Sequence, residues 1–194
     1  MQSSLNNDNL KISKPKIAIL LAAYNGIDWI KQQIFSILNQ ESVEVEIFIS
    51  VDISTDGTYE WCKAAEANNS LIHVLPYGKH FGGAAKNFFR LINDVNIEKY
   101  EFVAFADQDD IWFNKKLSRA VNQIAKHSCD AFSSDVIAFW NDGKEKYLKK
   151  SFTQKKYDYI FEAAGPGCTY VFKSKALNEF KIFLKLKWAV INEV

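Results

Sequence analysis

An α/β fold built on a mainly parallel sheet flanked by helices is expected of this chain, for two reasons. Short apolar runs of strand length alternate with segments whose apolar residues recur at helical spacing. Polar and glycine-bearing stretches follow the first, second and fourth of these runs, at the carboxyl ends of the strands, where parallel sheets hold their ligands.

The first run, KIAILLAAY (Lys16 to Tyr24), is continuously apolar, as a strand covered on both faces must be. VEIFISV (Val45 to Val51) and LIHVL (Leu71 to Leu75) repeat the signal. Between the first two, Ile27, Ile30, Ile34, Ile37 and Leu38 mark a helix. After Gly57, Tyr59, Cys62, Ala65 and Ala67 mark a second, and Phe88, Leu91, Ile92 and Val95 a third before the strand FVAFA. Beyond Asp110, NKKLSRAVNQIAKH reads as a helix with Leu117, Val121 and Ile124 inward, and DAFSSDVIAFW as one or two strands around a bend. NDGKEKYLKK carries the Asp-Gly pair of a turn, and AAGPGCTYVF is a glycine-bearing loop entering a strand. The last stretch places Leu177, Phe180, Phe183, Leu184 and Trp188 near one helical face with lysines beside it. Such a face can lie on a membrane surface as a peripheral contact, but packing on the core is the expected use.

Composition excludes several classes of function. The 194 residues carry 24 Lys and Arg against 23 Asp and Glu, which removes the general electrostatic argument for nucleic acid. Cys62, Cys129 and Cys168 are far apart and odd in number, giving neither a zinc spacing nor a disulfide framework, so a reducing cytoplasm is the expected setting. Residues 1–14 read as a polar, disordered lead-in without the apolar centre of a signal peptide, and no run is long enough to span a bilayer. His73, His80 and His127 are widely separated and read as structural or exposed rather than as metal ligands.

The chemistry concentrates in FVAFADQDDIW, which sets Asp107, Asp109 and Asp110 within four positions at a strand end. Like charges so close repel unless something positive joins them or protons are taken up. Mg²⁺ or Mn²⁺ prefers oxygen ligands and often takes only one or two protein carboxylates, filling its shell with phosphate and water. Capping of the next helix is the alternative for such an acidic strand end. In VDISTDGT, Asp52, Ser54 and Asp56 likewise suit either a ligand contact or a turn with a helix cap. Gly165 to Gly167 lacks the remaining glycine of a dinucleotide fingerprint, and Asp135 either faces the site's floor or caps a turn.

Together, KIAILLAAYNGIDWIKQQIFSILNQ, ISVDISTDGT, FGGAAKNFFRLI and FVAFADQDDIW resemble an inverting family 2 glycosyltransferase with the GT-A (Rossmann-like) fold, of the bacterial rhamnosyltransferase-like branch. AAGPGCTYVF extends the likeness to about Lys173. The resemblance implies one domain over residues 15–194, nucleotide-binding over about 15–112 and beginning its acceptor side over about 113–194. It implies a donor base between the backbone of Ala22 and the ring of Tyr24, with Asp52 accepting the imide N–H and Lys86 near the base or phosphates. Asp107 falls near the ribose or behind the ligands, Asp109 on the metal, and Asp110 beside them, orienting that shell or capping the next turn. Gly165, Gly167, Cys168 and Thr169 form the loop where donor sugar and acceptor meet. A Mg or Mn cation, a UDP- or dTDP-sugar and a saccharide or lipid-linked glycan acceptor are implied, at the cytoplasmic side of bacterial surface-glycan assembly.

Two departures from the family pattern stand out. Val51 and Ile53 replace the first acid and the glycine of the usual paired-acid motif, leaving Asp52 alone. The acidic motif that supplies the general base in this branch does not occur. The expectation is therefore a C-terminally shortened chain with its base beyond Val194; Glu193 is the only late carboxylate, and its terminal position counts against it. A non-catalytic nucleotide-sugar or glycan-binding domain and a sugar-phosphate nucleotidyltransferase are the alternatives, although AAYNG is not the basic glycine-rich loop the latter needs.

Overall fold

The computed structural model describes residues 13–153, 155–157 and 165–191, with side chains of the last helix described as far as Lys185. Eight strands and five α-helices occur among them. They are β1 (Lys16–Ala23), α1 (Ile30–Leu38), β2 (Glu44–Val51), α2 (Thr58–Asn68), β3 (Ile72–Val74), α3 (Ala84–Asp94), β4 (Phe102–Ala106) and α4 (Lys116–His127). There follow β5 (Ala131–Phe132), β6 (Val136–Phe139), β7 (Glu145–Leu148), a 3₁₀ turn (Gly167–Thr169), β8 (Val171–Lys173) and α5 (Ser174–Ile191). The main sheet runs β3-β2-β1-β4-β8-β5, parallel from β3 to β4, with β8 antiparallel to both its neighbours.

β1 explains the layering. All its residues after Lys16 are buried, and alternate side chains enter opposite cores, as the two-residue period of a strand requires. Ile17, Ile19 and Leu21 pack with Ile30, Ile34 and Ile37 of α1, Cys62 of α2, and Leu117 and Ile124 of α4. Ala18, Leu20 and Ala22 pack with Leu91 and Ile92 of α3 and Leu177 of α5. The sheet is thus covered on both faces, which is why β1 shows no polar alternation in the sequence.

The differences from expectation are local. Helix α1 begins at Ile30 rather than Ile27, because the carbonyl of Gly26 takes the N–H groups of Trp29 and Ile30 at 3.0 and 2.9 Å in a preceding turn. In α5 only Leu177 of the expected face is buried; Phe180 and Phe183 are 43% and 53% exposed and Leu184 is intermediate. The helix rests on the core through its first turns and then leaves it, so its apolar stripe is only partly used. Trp188 and Glu193 fall outside the residues whose side chains are described. Among the described residues no helix is long and apolar enough to cross a membrane. β6 and β7 form a separate antiparallel hairpin, whose turn at Gly143 takes φ +81°, a conformation that favours glycine.

Candidate functional site

The strands β1, β2 and β4 end side by side, with Ala23 opposite Val51 and Leu21 opposite Ala106, so their loops meet. Each loop is held by side chains of another. Gln108 accepts the Tyr24 N–H at 2.6 Å and donates to the Tyr24 carbonyl at 2.8 Å, replacing a strand neighbour by one amide. Gly26 makes room for it, since a Cβ there would lie 2.3 Å from Gln108 Oε1. Asn25 and Ser54 exchange contacts across the first two loops: the Asn25 N–H donates to Ser54 Oγ at 3.0 Å and the Thr55 N–H to Asn25 Oδ1 at 2.8 Å. Asp56 takes the Ile27 N–H at 3.0 Å, and the Thr58 N–H and hydroxyl at 3.0 and 2.6 Å. Ser54 and Asp56 therefore hold the turn before α2, whose N-cap is Gly57 without a side-chain cap bond.

These loops enclose a pocket lined by Ala22, Tyr24, Asp52, His80, Gly82, Asn87, Asp107 and Asp109, among others. The Tyr24 side is open, with the residue 52% exposed, so its ring is free to receive a flat ligand. Asp52 is almost fully buried at the other end. Burial by itself would raise its pKa, but the backbone N–H groups of Phe81, Gly82 and Ile53, with His80 adding attraction, hold the carboxyl below its ordinary range. Lys86 is exposed on the first turn of α3 and is not part of the lining; Asn87, which follows it, is buried and donates to the Ser50 carbonyl at 2.9 Å.

At the end of β4 the carboxylates divide. Asp109 is exposed and faces the pocket, whereas Asp107 and Asp110 come together with Cys168, offering three ligand atoms within 4.8 Å of one another. Burial first, then the charges of Asp110 and Asp109, push Asp107 up to about 6. Asp110 is also raised, by burial and by Asp109, against the opposing pull of the Cys168 thiol and Lys116. Asp110 Oδ2 is buried with no hydrogen-bond partner. Clustered, half-buried carboxylates with an unsatisfied oxygen fit a hard divalent cation. The thiol does not, since burial drives the Cys168 pKa upward and keeps it protonated.

Lys116 closes this cluster from behind. The side chain is half-buried, and its ammonium donates to the Cys168 carbonyl at 2.8 Å and sits 3.2 Å from the centre of the Trp112 ring. Burial draws its pKa down to about 7, against the attraction of Cys168 and Asp110. The 3₁₀ turn is thereby fixed beside the acids, and a Cβ on Gly167 would come within 3.9 Å of Asp107 Oδ2. Gly165 is tight as well, with Ser133 Cβ and Thr169 Oγ1 3.1 Å from where its Cβ would be.

On the far side of Asp110, Cys168 and Thr169 lies a second cavity, of about 620 Å³, roofed by the β6–β7 hairpin. Phe113, Phe139 and Trp140 line it and are all more than half exposed. Asp135 ties the hairpin's base, accepting from the Tyr147 hydroxyl and from the N–H groups of Lys150 and Ser151 at 2.5 and 2.7 Å. Those bonds hold Asp135 well below the usual carboxylate range, as a turn anchor rather than a proton acceptor.

The structure thus brings Ala22, Tyr24, Asp52, Asp107 and Asp109 to one pocket and joins Asp110 and Cys168 behind it. Sequence reading missed Gln108, whose signal was its place between Asp107 and Asp109, and set His80 aside for want of a ligand spacing.

Comparison with known proteins gives the family and the fold. The model of the family described as "Glycosyl transferase family 2" matches residues 18–186. A dTDP-rhamnosyl transferase of Shigella flexneri, RfbG, is 46% identical over 165 residues, covering 84% of this chain and 57% of its own. Among solved structures, residues 1–349 of TarS from S. aureus in complex with UDP align with a TM-score of 0.65 at 20% identity, over 86% of this chain and 49% of that one. The mannosyltransferase PcManGT of Pyrobaculum calidifontis, in complex with GDP-Man and Mn²⁺, aligns with a TM-score of 0.62 at 16% identity, over 87% and 47%. The chain spans about half the length of these proteins.

Proposed function

The chain belongs to glycosyl transferase family 2, and from that premise we propose that it binds a nucleotide-diphosphate sugar through a divalent cation and, with the rest of its protein, transfers the sugar with inversion to a hydroxyl of a bacterial surface glycan. A UDP- or dTDP-sugar is the donor class favoured by the relatives, one of which is a dTDP-rhamnosyl transferase and another a UDP complex. The observation that carries the reading is the pocket joining an open aromatic ring, Tyr24, to the carboxylates of Asp107 and Asp109, with a buried, unpartnered oxygen of Asp110 beside them.

In this reading the base lies on Tyr24 between Ala22 and the Asp52 end, and the diphosphate points toward Asp107 and Asp109. Lys86, exposed at the start of α3, adds long-range positive charge rather than a direct contact in this conformation. A Mg²⁺ or Mn²⁺ held by Asp109, with Asp107 and Asp110 behind it, would neutralise the diphosphate as it leaves. The Lys116 ammonium and the Gly165 to Thr169 turn fix the wall between the acids and the hairpin cavity, from which an acceptor hydroxyl would approach. In the transfer, the acceptor oxygen bonds to the anomeric carbon as the carbon–phosphate-oxygen bond breaks. The nucleoside diphosphate takes that electron pair and a general base takes the hydroxyl proton. None of the described residues is assigned as that base, and Glu193 lies outside them. A lipid-linked acceptor would bring the protein to the inner face of the membrane as a peripheral partner.

Calorimetry with UDP and dTDP tests the donor side. Binding should need Mn²⁺ or Mg²⁺, and Asp109→Asn should remove most of that dependence with the fold intact, because an amide is a weaker ligand for a hard cation. Equal metal-dependent binding by parent and variant would remove Asp109 from the metal.

A further inference from the structure

Exposed apolar side chains and lysines collect together on and beside the β6–β7 hairpin. Ile137 and Tyr147 face each other across the two strands, and Phe139, two positions from Ile137, shares their side of the ribbon. The three are 40%, 61% and 52% exposed. Trp140 at the turn, and Phe152 and Tyr157 after β7, are more than half exposed as well. From Asp135 to Tyr157 six lysines stand against three acids, in a chain whose formal net charge is +1, so the remainder of the chain is net negative.

Most of that positive charge is uncommitted. Lys144 pairs with Asp142 at 2.6 Å, but Lys146, Lys149, Lys150 and Lys156 have no ion pair among the described residues. Two of these ammonium groups sit against exposed rings instead: Lys149 lies 5.4 Å from the centre of the Phe152 ring and Lys156 5.3 Å from that of Tyr157. Rings standing in water beside unpaired ammonium groups match the surface of an anionic bilayer, where aromatic side chains settle at headgroup level and lysines meet lipid phosphates. A second copy of the chain would bring two positive faces together. A sugar held in the hairpin cavity would leave Tyr147, Phe152 and Tyr157 bare, since they lie outside its lining.

We propose that the β6–β7 hairpin and the segment through Tyr157 form a docking surface for an anionic lipid bilayer. Ile137, Phe139 and Trp140 belong both to this surface and to the cavity lining, so the cavity opens at the lipid, where a lipid-linked acceptor is presented. That consequence rests on the acceptor reading above, whereas the docking itself makes no use of the nucleotide pocket. The membrane contact is thereby placed on the hairpin and not on the lysine-flanked face of α5.

Sedimentation with vesicles tests it, using phosphatidylcholine alone and an equimolar mixture of phosphatidylcholine and phosphatidylglycerol. The chain should partition about tenfold or more better into the mixed vesicles at low salt and lose that preference at high salt, as screening requires. The triple variant Lys146→Gln, Lys149→Gln, Lys150→Gln should bind the mixed vesicles about a hundredfold more weakly, with its thermal melt unchanged. Phe152→Ser, which removes a ring but no charge, should weaken binding to them about fivefold. Ile182→Ser with Phe183→Ser, on the exposed side of α5, is the competing arm and should bind as the parent does. Equal partition into the two kinds of vesicle, undiminished binding by the triple variant, or a loss confined to the α5 variant would each overturn the inference and leave the donor reading standing. Retention on immobilised polygalacturonate without partition into the mixed vesicles would assign the surface to an acidic glycan and overturn it likewise. A parent that binds the mixed vesicles as expected but no nucleoside diphosphate would uphold the docking surface and overturn the donor reading alone.

Discussion

The two cavities on either side of the acidic cluster are built differently. The pocket at the ends of β1, β2 and β4 is fixed by side chains that bond to the backbone of another loop: Gln108 to Tyr24, Asp56 to Ile27 and Asp52 to Phe81 and Gly82. The cavity under the β6–β7 hairpin is bounded by exposed aromatic rings, with Lys116 and the 3₁₀ turn on its other side. A rigid wall suits a ligand part that is always the same, such as a nucleotide. An exposed aromatic wall suits a partner that varies, and sugar rings present C–H faces that pack on such rings.

That contrast can be broken at several strengths. The largest effect belongs to the sheet under the rigid pocket: Ile19→Ala removes a fully buried side chain from the β1 core and should cost about 2–5 kcal/mol in chemical denaturation. Gly26→Ala comes next. The new methyl would displace the Gln108 amide and with it both bonds to Tyr24, for a loss of about 1–3 kcal/mol and weaker nucleotide binding; nucleotide affinity equal to the parent's would show that Gln108 is not what shapes the Tyr24 loop.

At the opposite end of the sheet, Glu46 of β2 gathers Tyr100, Lys99 and His73, the Tyr100 hydroxyl at 2.7 Å. Burial would raise its pKa, but these hydrogen bonds prevail and hold it below its ordinary 4.5. Its contribution to stability is therefore complete above about pH 4.5 and is lost as pH falls through the lower folded-state value. Tyr100→Phe should cost about 1–2 kcal/mol at pH 7 and less at pH 3, with nucleotide affinity unchanged at neutral pH, as thermal melts and calorimetry can record. The smallest effect is expected under the hairpin. Trp140→Ala, at a half-exposed position, should change stability by no more than about 0.5 kcal/mol. A loss as large as that of Gly26→Ala would show the hairpin to be as firmly built as the pocket.

Much of the fold was legible because it is written in local periodicity. β1 announces burial on both faces by having no polar alternation, and α3 shows its inward side as Phe88, Leu91, Ile92 and Val95 at helical spacing. Asp107, Asp109 and Asp110 could be singled out by their density at a strand end alone. Residues that act through distant partners could not. His80 gains its place only because Asp52, 28 positions earlier, holds it, and Gln108 only because Tyr24, 84 positions earlier, lies across the sheet.

The chain by itself therefore determined the order of elements from β1 to α4, the inward residues of β1, α1 and α3, and the acidic cluster, since each depends on spacing between near neighbours. The tertiary structure alone decided that β8 inserts antiparallel beside β4 and brings Cys168 to Asp107 and Asp110. It alone decided that Asp52 faces inward and that the aromatic face of α5 leaves the core after Leu177. Strand pairing and hydrogen-bond partnership are settled by what lies across the gap in space, and a lone pair can be matched by donors from anywhere in the chain.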